Sequence, residues 1–101
     1  VFGWFRRAGE ELFGRSGRWP AWRAAHLRRE PECQACGTAD DLEVHHITPV
    51  HAGGDELPPP EGMITLCRPC HHVVAHACNW KAWRPGVRDL AAALRSAEVR
   101  R

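Results

Sequence analysis

A chain of 101 residues and 11.4 kDa holds one small domain, which excludes a multidomain enzyme. Its 44% hydrophobic and 26% charged residues suit a globular chain rather than a disordered one, and no apolar run approaches the roughly 18 residues that span a bilayer. The net charge of +2 hides three blocks: residues 1–31 sum to +4, residues 32–66 to −7 and residues 67–101 to +5. Basic flanks around an acidic centre rich in metal-ligand residues can grip a polyanion while the centre holds cations. The opening Val1-Phe2-Gly3-Trp4-Phe5 runs straight into Arg6-Arg7, too short for a secretory signal. It starts on Val1 rather than Met, as a piece of a longer protein would.

In chain order, residues 1–17 mix Phe2, Trp4, Phe5, Leu12 and Phe13 with four glycines and read as a short amphipathic helix. Pro20 suits the first turn of a helix over 20–30 that Pro31 ends, with Trp22, Ala25 and Leu27 apolar and His26 on the surface. Cys33-Gln34-Ala35-Cys36-Gly37 reads as a knuckle turn, and Leu42–Ile47 as a strand stopped by Thr48-Pro49. Gly53-Gly54-Asp55 and Pro58-Pro59-Pro60 mark a loop over 51–61, with His51 solvated in it. Met63–Leu66 is a second strand, Cys67–Cys70 a second knuckle, and His71–Ala77 a short helix. Pro85 opens a last helix to Val99, with Val87, Leu90, Ala91 and Leu94 on one face.

Five Cys and seven His are the informative excess. The Cys count is odd and C-x-x-C occurs twice, which favours bound metal in a reducing, cytoplasmic compartment over disulfides. Cys33, Cys36, Cys67 and Cys70 can close a tetrahedral Zn²⁺ site, whose lack of an open position makes it architectural. Cys78 is left over and reads as a small buried apolar residue. Closing that loop on zinc would bring His45 and His46 of the strand to His71, His72 and His76 of the helix.

These motifs, from C-x-x-C-G through Leu42-Glu43-Val44-His45-His46-Ile47-Thr48-Pro49 and Gly53-Gly54-Asp55 to Ile64-Thr65-Leu66-Cys67-Arg68-Pro69-Cys70-His71, resemble the HNH endonuclease family. The resemblance runs from about Trp19 to Trp80, and the tail from Cys78 is similar to a group of small bacterial HNH proteins. It implies an α+β fold: a small zinc-stabilised ββα-metal (HNH) domain with flanking helices. The chain would divide into an N-terminal extension (1–17), the HNH nuclease domain with its four-cysteine zinc site (18–80), and a C-terminal helix packed on it (81–101). The resemblance also implies that His45 and His71 ligate a catalytic ion, with His76 as a third ligand or phosphate contact, and that His46 is the general base. Gly62 stands where the family has its middle Asn, whose work of orienting the base would fall to Glu61 or to backbone carbonyls.

Adjacent strand residues face opposite ways, so one of His45 and His46 can bind an ion while the other handles water. An imidazole of ordinary pKa about 6.5 can take the water proton. A His shell suits Zn²⁺, Ni²⁺ or Mn²⁺, while Mg²⁺ prefers oxygen. On an ideal helix His71 and His76 lie about 140° apart, so either the helix starts irregularly or His72 replaces His71; the place next to Cys70 favours His71. Arg68, His72, Lys81 and Arg84 are the candidate nucleic-acid contacts, with Arg88 and the arginines before the knuckle (Arg15, Arg18, Arg23, Arg28 and Arg29) available to phosphate. Trp19, Trp22, Trp80 and Trp83 read as core, although Trp80 and Trp83 could instead stack on bases.

The expected function is metal-dependent hydrolysis of DNA phosphodiesters, for which the resemblance implies 5′-phosphate and 3′-hydroxyl products. The expected cofactors are a structural Zn²⁺ and a second divalent ion (Mg²⁺, Mn²⁺, Ni²⁺ or Zn²⁺). The expected partner is DNA, with no membrane and no small-molecule cofactor. The alternatives are a non-catalytic zinc-ribbon module that binds nucleic acid or a protein, and a purely structural domain.

Overall fold

The computed structural model describes residues 17–99, so the helix expected in the N-terminal extension lies outside the described residues. Helix α1 (Trp19–Arg29) starts one residue ahead of Pro20, which needs no backbone N–H in a first turn. It ends where Pro31 bars the helical conformation of the residue before it. Strands β1 (Leu42–His46) and β2 (Met63–Cys67) form a two-stranded antiparallel sheet that pairs His45 with Ile64 and Val44 with Thr65. Single 3₁₀ turns at Val50–Ala52 and Pro60–Gly62 lie in the long connection. Helix α2 (Arg68–Cys70) runs directly into a π-helical turn, His71–Ala75. Helix α3 (Val87–Val99) closes the chain.

The sheet is covered on both faces, which is why every residue of β2 is buried. One face packs Ile64 and Leu66 with Val74, Ala75, Val87, Ala91 and the knuckle residues Cys33, Ala35 and Cys67. The other packs Val44 and Met63 against Trp19, with Trp22 and Leu27 alongside. The Trp22 indole N–H also donates to the Pro58 carbonyl at 2.8 Å and ties the loop to α1. The second knuckle and both strands stand where the sequence pattern puts them, and Gly37 takes the left-handed conformation (φ 85°) that the first knuckle needs.

Two readings of the helices are overturned. His26 is not a surface residue: it is 1% exposed and hydrogen-bonded to Glu30 at 2.9 Å. Leu94 does not share the covered face of α3 but is 42% exposed, because the core it would join ends at Ala91.

Glu30 joins three elements. Its carboxylate accepts from Arg88 of α3 (2.7 Å), from the Thr65 backbone N–H of β2 (3.2 Å) and from His26 of α1. Arg88, expected to be free for phosphate, is committed here and also donates to the Met63 carbonyl. Burial raises the Glu30 pKa, but the Arg88 and Thr65 hydrogen bonds outweigh it and leave the pKa below the ordinary value. A depressed pKa stabilises the fold above the ordinary carboxylate value of 4.5 and stops doing so as pH falls through the lower folded value. Glu30→Gln therefore costs about 2–3 kcal/mol at neutral pH, the range for a hydrogen-bonded charge left without its partner. Urea titrations of the two proteins should converge as the pH is lowered through that window.

The chain reverses after the π turn through Ala77 (φ 52°) and Cys78 (φ 63°), both left-handed without being glycine. Cys78 is exposed, not buried as its composition suggests, because the reversal turns it outward. An L residue in this conformation costs roughly 1–2 kcal/mol. Ala77→Gly should thus stabilise by about 1 kcal/mol and raise the melting temperature by roughly 4–8 °C.

Candidate functional site

Two groups of ligand residues converge, each with its donor atoms within 4.8 Å of one another. The first is Cys33, Cys36, Cys67 and Cys70, all free thiols. The Sγ atoms of Cys36 and Cys67 lie 3.7 Å apart. Sulfurs about 2.3 Å from a tetrahedral ion stand about 3.8 Å apart, so the spacing fits Zn²⁺. Burial and the neighbouring thiols hold Cys70 far above the ordinary thiol range, and burial raises Cys67. For Cys33 burial is outweighed by backbone N–H groups, which bring its pKa to about 7. Four thiolates can coexist here only around a cation. Arg95 of α3 donates to the Cys33 carbonyl at 3.0 Å and packs over Gly37.

The second group is His45, His71 and His76. In β1, Glu43 and His45 share the face turned to the π turn, and Val44 and His46 share the face turned to α1. His45 Nδ1 lies 3.1 Å from His71 Nε2, and His76 Nε2 lies 3.2 Å from the same atom. The π turn is what brings residues five apart together, since its repeat is i to i+5. This is the irregular start that an ideal helix would not allow, and His71 rather than His72 enters the cluster.

Hydrogen bonds on the far side of the rings set the tautomers. His71 Nδ1–H donates to Glu43 Oε1 at 2.9 Å, and His76 Nδ1–H donates to the Ala82 carbonyl at 2.7 Å. Both Nε2 atoms are then bare lone pairs facing each other, with no proton between them. His45 Nε2 is buried without a hydrogen-bond partner. Burial and the adjacent imidazoles push the His45 pKa to about 3, and burial lowers His71 despite Glu43. The bare Nε2 atoms of His71 and His76, with His45 Nδ1 beside them and a carboxylate behind His71, are a donor set that could hold a metal ion. Nitrogens about 2.1 Å from one ion stand about 3.0 Å apart in octahedral and about 3.4 Å in tetrahedral geometry, and the distances here lie between. Glu43, which also pairs with Arg68 at 3.1 Å, was missed as a site residue. Its signal was available: it stands two residues before His45 in a strand, hence on the same face.

His46 stays out of this cluster. Its ring stacks on Trp19 (centroids 4.6 Å apart, 30° between planes), and its Nε2–H donates to the Glu56 carbonyl at 3.0 Å. That bond leaves Nδ1 as the bare nitrogen of the neutral ring. The Gly62 carbonyl, at the position where the resemblance expects an Asn, accepts from the Ile47 N–H at 3.0 Å. A Cβ there would stand 2.9 Å from Pro58 Cβ, so a side chain would require the loop at Pro58 to shift. Of the remaining candidates, Arg68 is exposed on α2, and Lys81 and Arg84 are exposed beyond the reversal. His72 stacks on Trp80 (4.7 Å, 30°). Trp80 is 50% exposed rather than core, and Trp83 is half-buried.

Residues 33–74, about two-fifths of the chain, match the family model described as HNH endonuclease. The match falls on the segment that carries both ligand groups except His76, bears out the family resemblance, and supports a nuclease. A solved structure, that of the type IV phosphorothioation-dependent restriction endonuclease ScoMcrA, is similar to 79% of this chain at 25% identity with a TM-score of 0.47. The chain covers 17% of that structure's length. No curated protein matches. Among the described residues no helix is long and apolar enough to cross a membrane.

Proposed function

From an HNH-type module over residues 33–74, we propose that this chain is a metal-dependent endonuclease hydrolysing DNA phosphodiesters, with His46 as general base. The observation that carries the reading is the separation of two kinds of histidine by one strand. His45 is turned to a cluster of bare nitrogens, and His46 is turned to an indole and a carbonyl that fix its tautomer.

His46 Nδ1 takes a proton from the attacking water, while the Glu56 carbonyl and Trp19 hold the ring in place. This assigns to a backbone carbonyl the orienting work of the absent Asn. His45, His71 and His76 hold the catalytic ion, and Glu43 keeps His71 in the ligating tautomer. A divalent ion bound there supplies charge stabilisation to the phosphoryl oxygen and the leaving 3′-oxygen. Arg68, His72, Lys81 and Arg84 bind the DNA strand around the cut. Cys33, Cys36, Cys67 and Cys70 hold Zn²⁺ for architecture alone.

A cleavage assay on plasmid and on single-stranded DNA, with added Mg²⁺, Mn²⁺, Ni²⁺ or Zn²⁺, tests the proposal. The wild type cuts with at least one ion, and His46→Ala binds DNA without cutting. A wild type as inert as His46→Ala with all four ions makes the chain a binding module instead.

A further inference from the structure

Trp80 is out of place for a large aromatic ring in so small a domain. It is 50% exposed, whereas Trp19 is 6% exposed. Its ring centroid lies 4.7 Å from that of His72, 4.8 Å from His76 and 5.2 Å from His71. The indole therefore lies against the imidazole cluster with half of its surface open to solvent.

The backbone holds it there at a cost. The left-handed pair Ala77 and Cys78 reverses the chain, and Cys78 N–H, Ala77 N–H and Asn79 N–H donate to the carbonyls of His72 (3.0 Å), Val73 (3.1 Å) and His76 (2.9 Å). Ala82 closes the far side through its carbonyl, which accepts from His76. Residues held in such conformations cluster at active sites and ligand clamps, and this turn presents an apolar ring to water instead of burying it. The chain leaving the ring carries exposed Lys81 and Arg84, and the helix entering the cluster carries exposed Arg68.

A flat aromatic face flanked by cations matches one feature of nucleic acid. In a duplex the faces of the bases are hidden by stacking and only their edges are open. An unpaired base offers its whole face, and its phosphates lie within reach of flanking basic side chains. His72 stacks on the indole with 30° between the planes, so it backs the ring from one side while half of the Trp80 surface stays open.

We propose that Trp80, backed by His72, is a stacking seat for an unpaired nucleobase beside the scissile phosphate, so that the substrate is DNA with unpaired nucleotides at the cut rather than continuous duplex. This rests on the nuclease reading and names its substrate class.

The test is equilibrium binding by fluorescence anisotropy. It uses the full zinc-loaded chain carrying His46→Ala, so that the DNA stays intact. The probes are a single strand, a blunt duplex and the same duplex with a bulge. Trp80→Leu should weaken binding to the single strand and the bulged duplex by about 5- to 150-fold, the ratio set by loss of one stacked base. Blunt-duplex binding should stay unchanged, and Trp80→Phe should fall between. Equal weakening on all three probes, or none, overturns the seat.

A second arm leaves the ring untouched, in case Trp80→Leu unsettles the fold. An abasic site is walked along the single strand: a loss at one position supports the seat, and a flat profile overturns it. Both arms measure binding alone, so failure of the parent chain to cut the single strand and the bulged duplex with any added divalent ion counts against the nuclease reading, and a flat abasic profile counts against the seat.

Discussion

Cys33→Ser removes the cooperative thermal unfolding transition of this chain. Cys33 has no exposed surface and packs with Ile64, Leu66, Val74 and Ala91, so its sulfur is a core atom and a ligand atom at once. Serine there places a hydroxyl among apolar neighbours and leaves Cys67 and Cys70, whose thiols burial makes harder to ionise. Binding of Zn²⁺ at a structural site is worth roughly 10–16 kcal/mol. Small domains hold a net stability of only about 5–15 kcal/mol, so loss of one ligand takes the fold with it. Circular dichroism melts with elemental analysis for zinc check this. A Cys33→Ser chain that melts normally would refute the structural role of the site.

His46→Ala lowers DNA nicking by about 10²- to 10⁴-fold, the range for a positioned general base, while zinc content and DNA binding hold. The separation is expected from geometry. His46 touches Trp19 and the Glu56 carbonyl, while the metal-ligand candidates lie across the strand. Nicking rates and anisotropy measured on one preparation check it; a loss of binding equal to the loss of cutting would make His46 a DNA contact and not the base.

Much of this architecture was legible in the residues. The C-x-x-C pairs, the strand alternation at Leu42–Ile47 and the closing of one on the other specify a cleft with His45 and His46 on opposite faces. Local geometry beyond the regular repeats was not legible. The π turn depends on the backbone pattern at His71–Ala75, which no periodicity encodes, yet it decides that His71 and not His72 meets His76. His26 and Trp80 exchanged expected places because burial follows the partner and not the residue type. Glu30 gives His26 an acceptor inside the fold, whereas the strained reversal turns Trp80 outward. Glu30 looks like an ordinary surface acid in sequence, and only the third dimension supplies its partners.

The ladder between β1 and β2 is clasped at both ends, by Ile47 N–H on the Gly62 carbonyl (3.0 Å) and by Arg68 N–H on the Asp41 carbonyl (2.9 Å). Strand side chains alternate, so slippage by a single position would send every group of β1 to the opposite side. His45 and His46 would then trade neighbourhoods, His46 facing the imidazole pair His71 and His76, and His45 facing the indole of Trp19. The division of work proposed for two neighbouring histidines thus depends on strand register, which two main-chain latches help to hold.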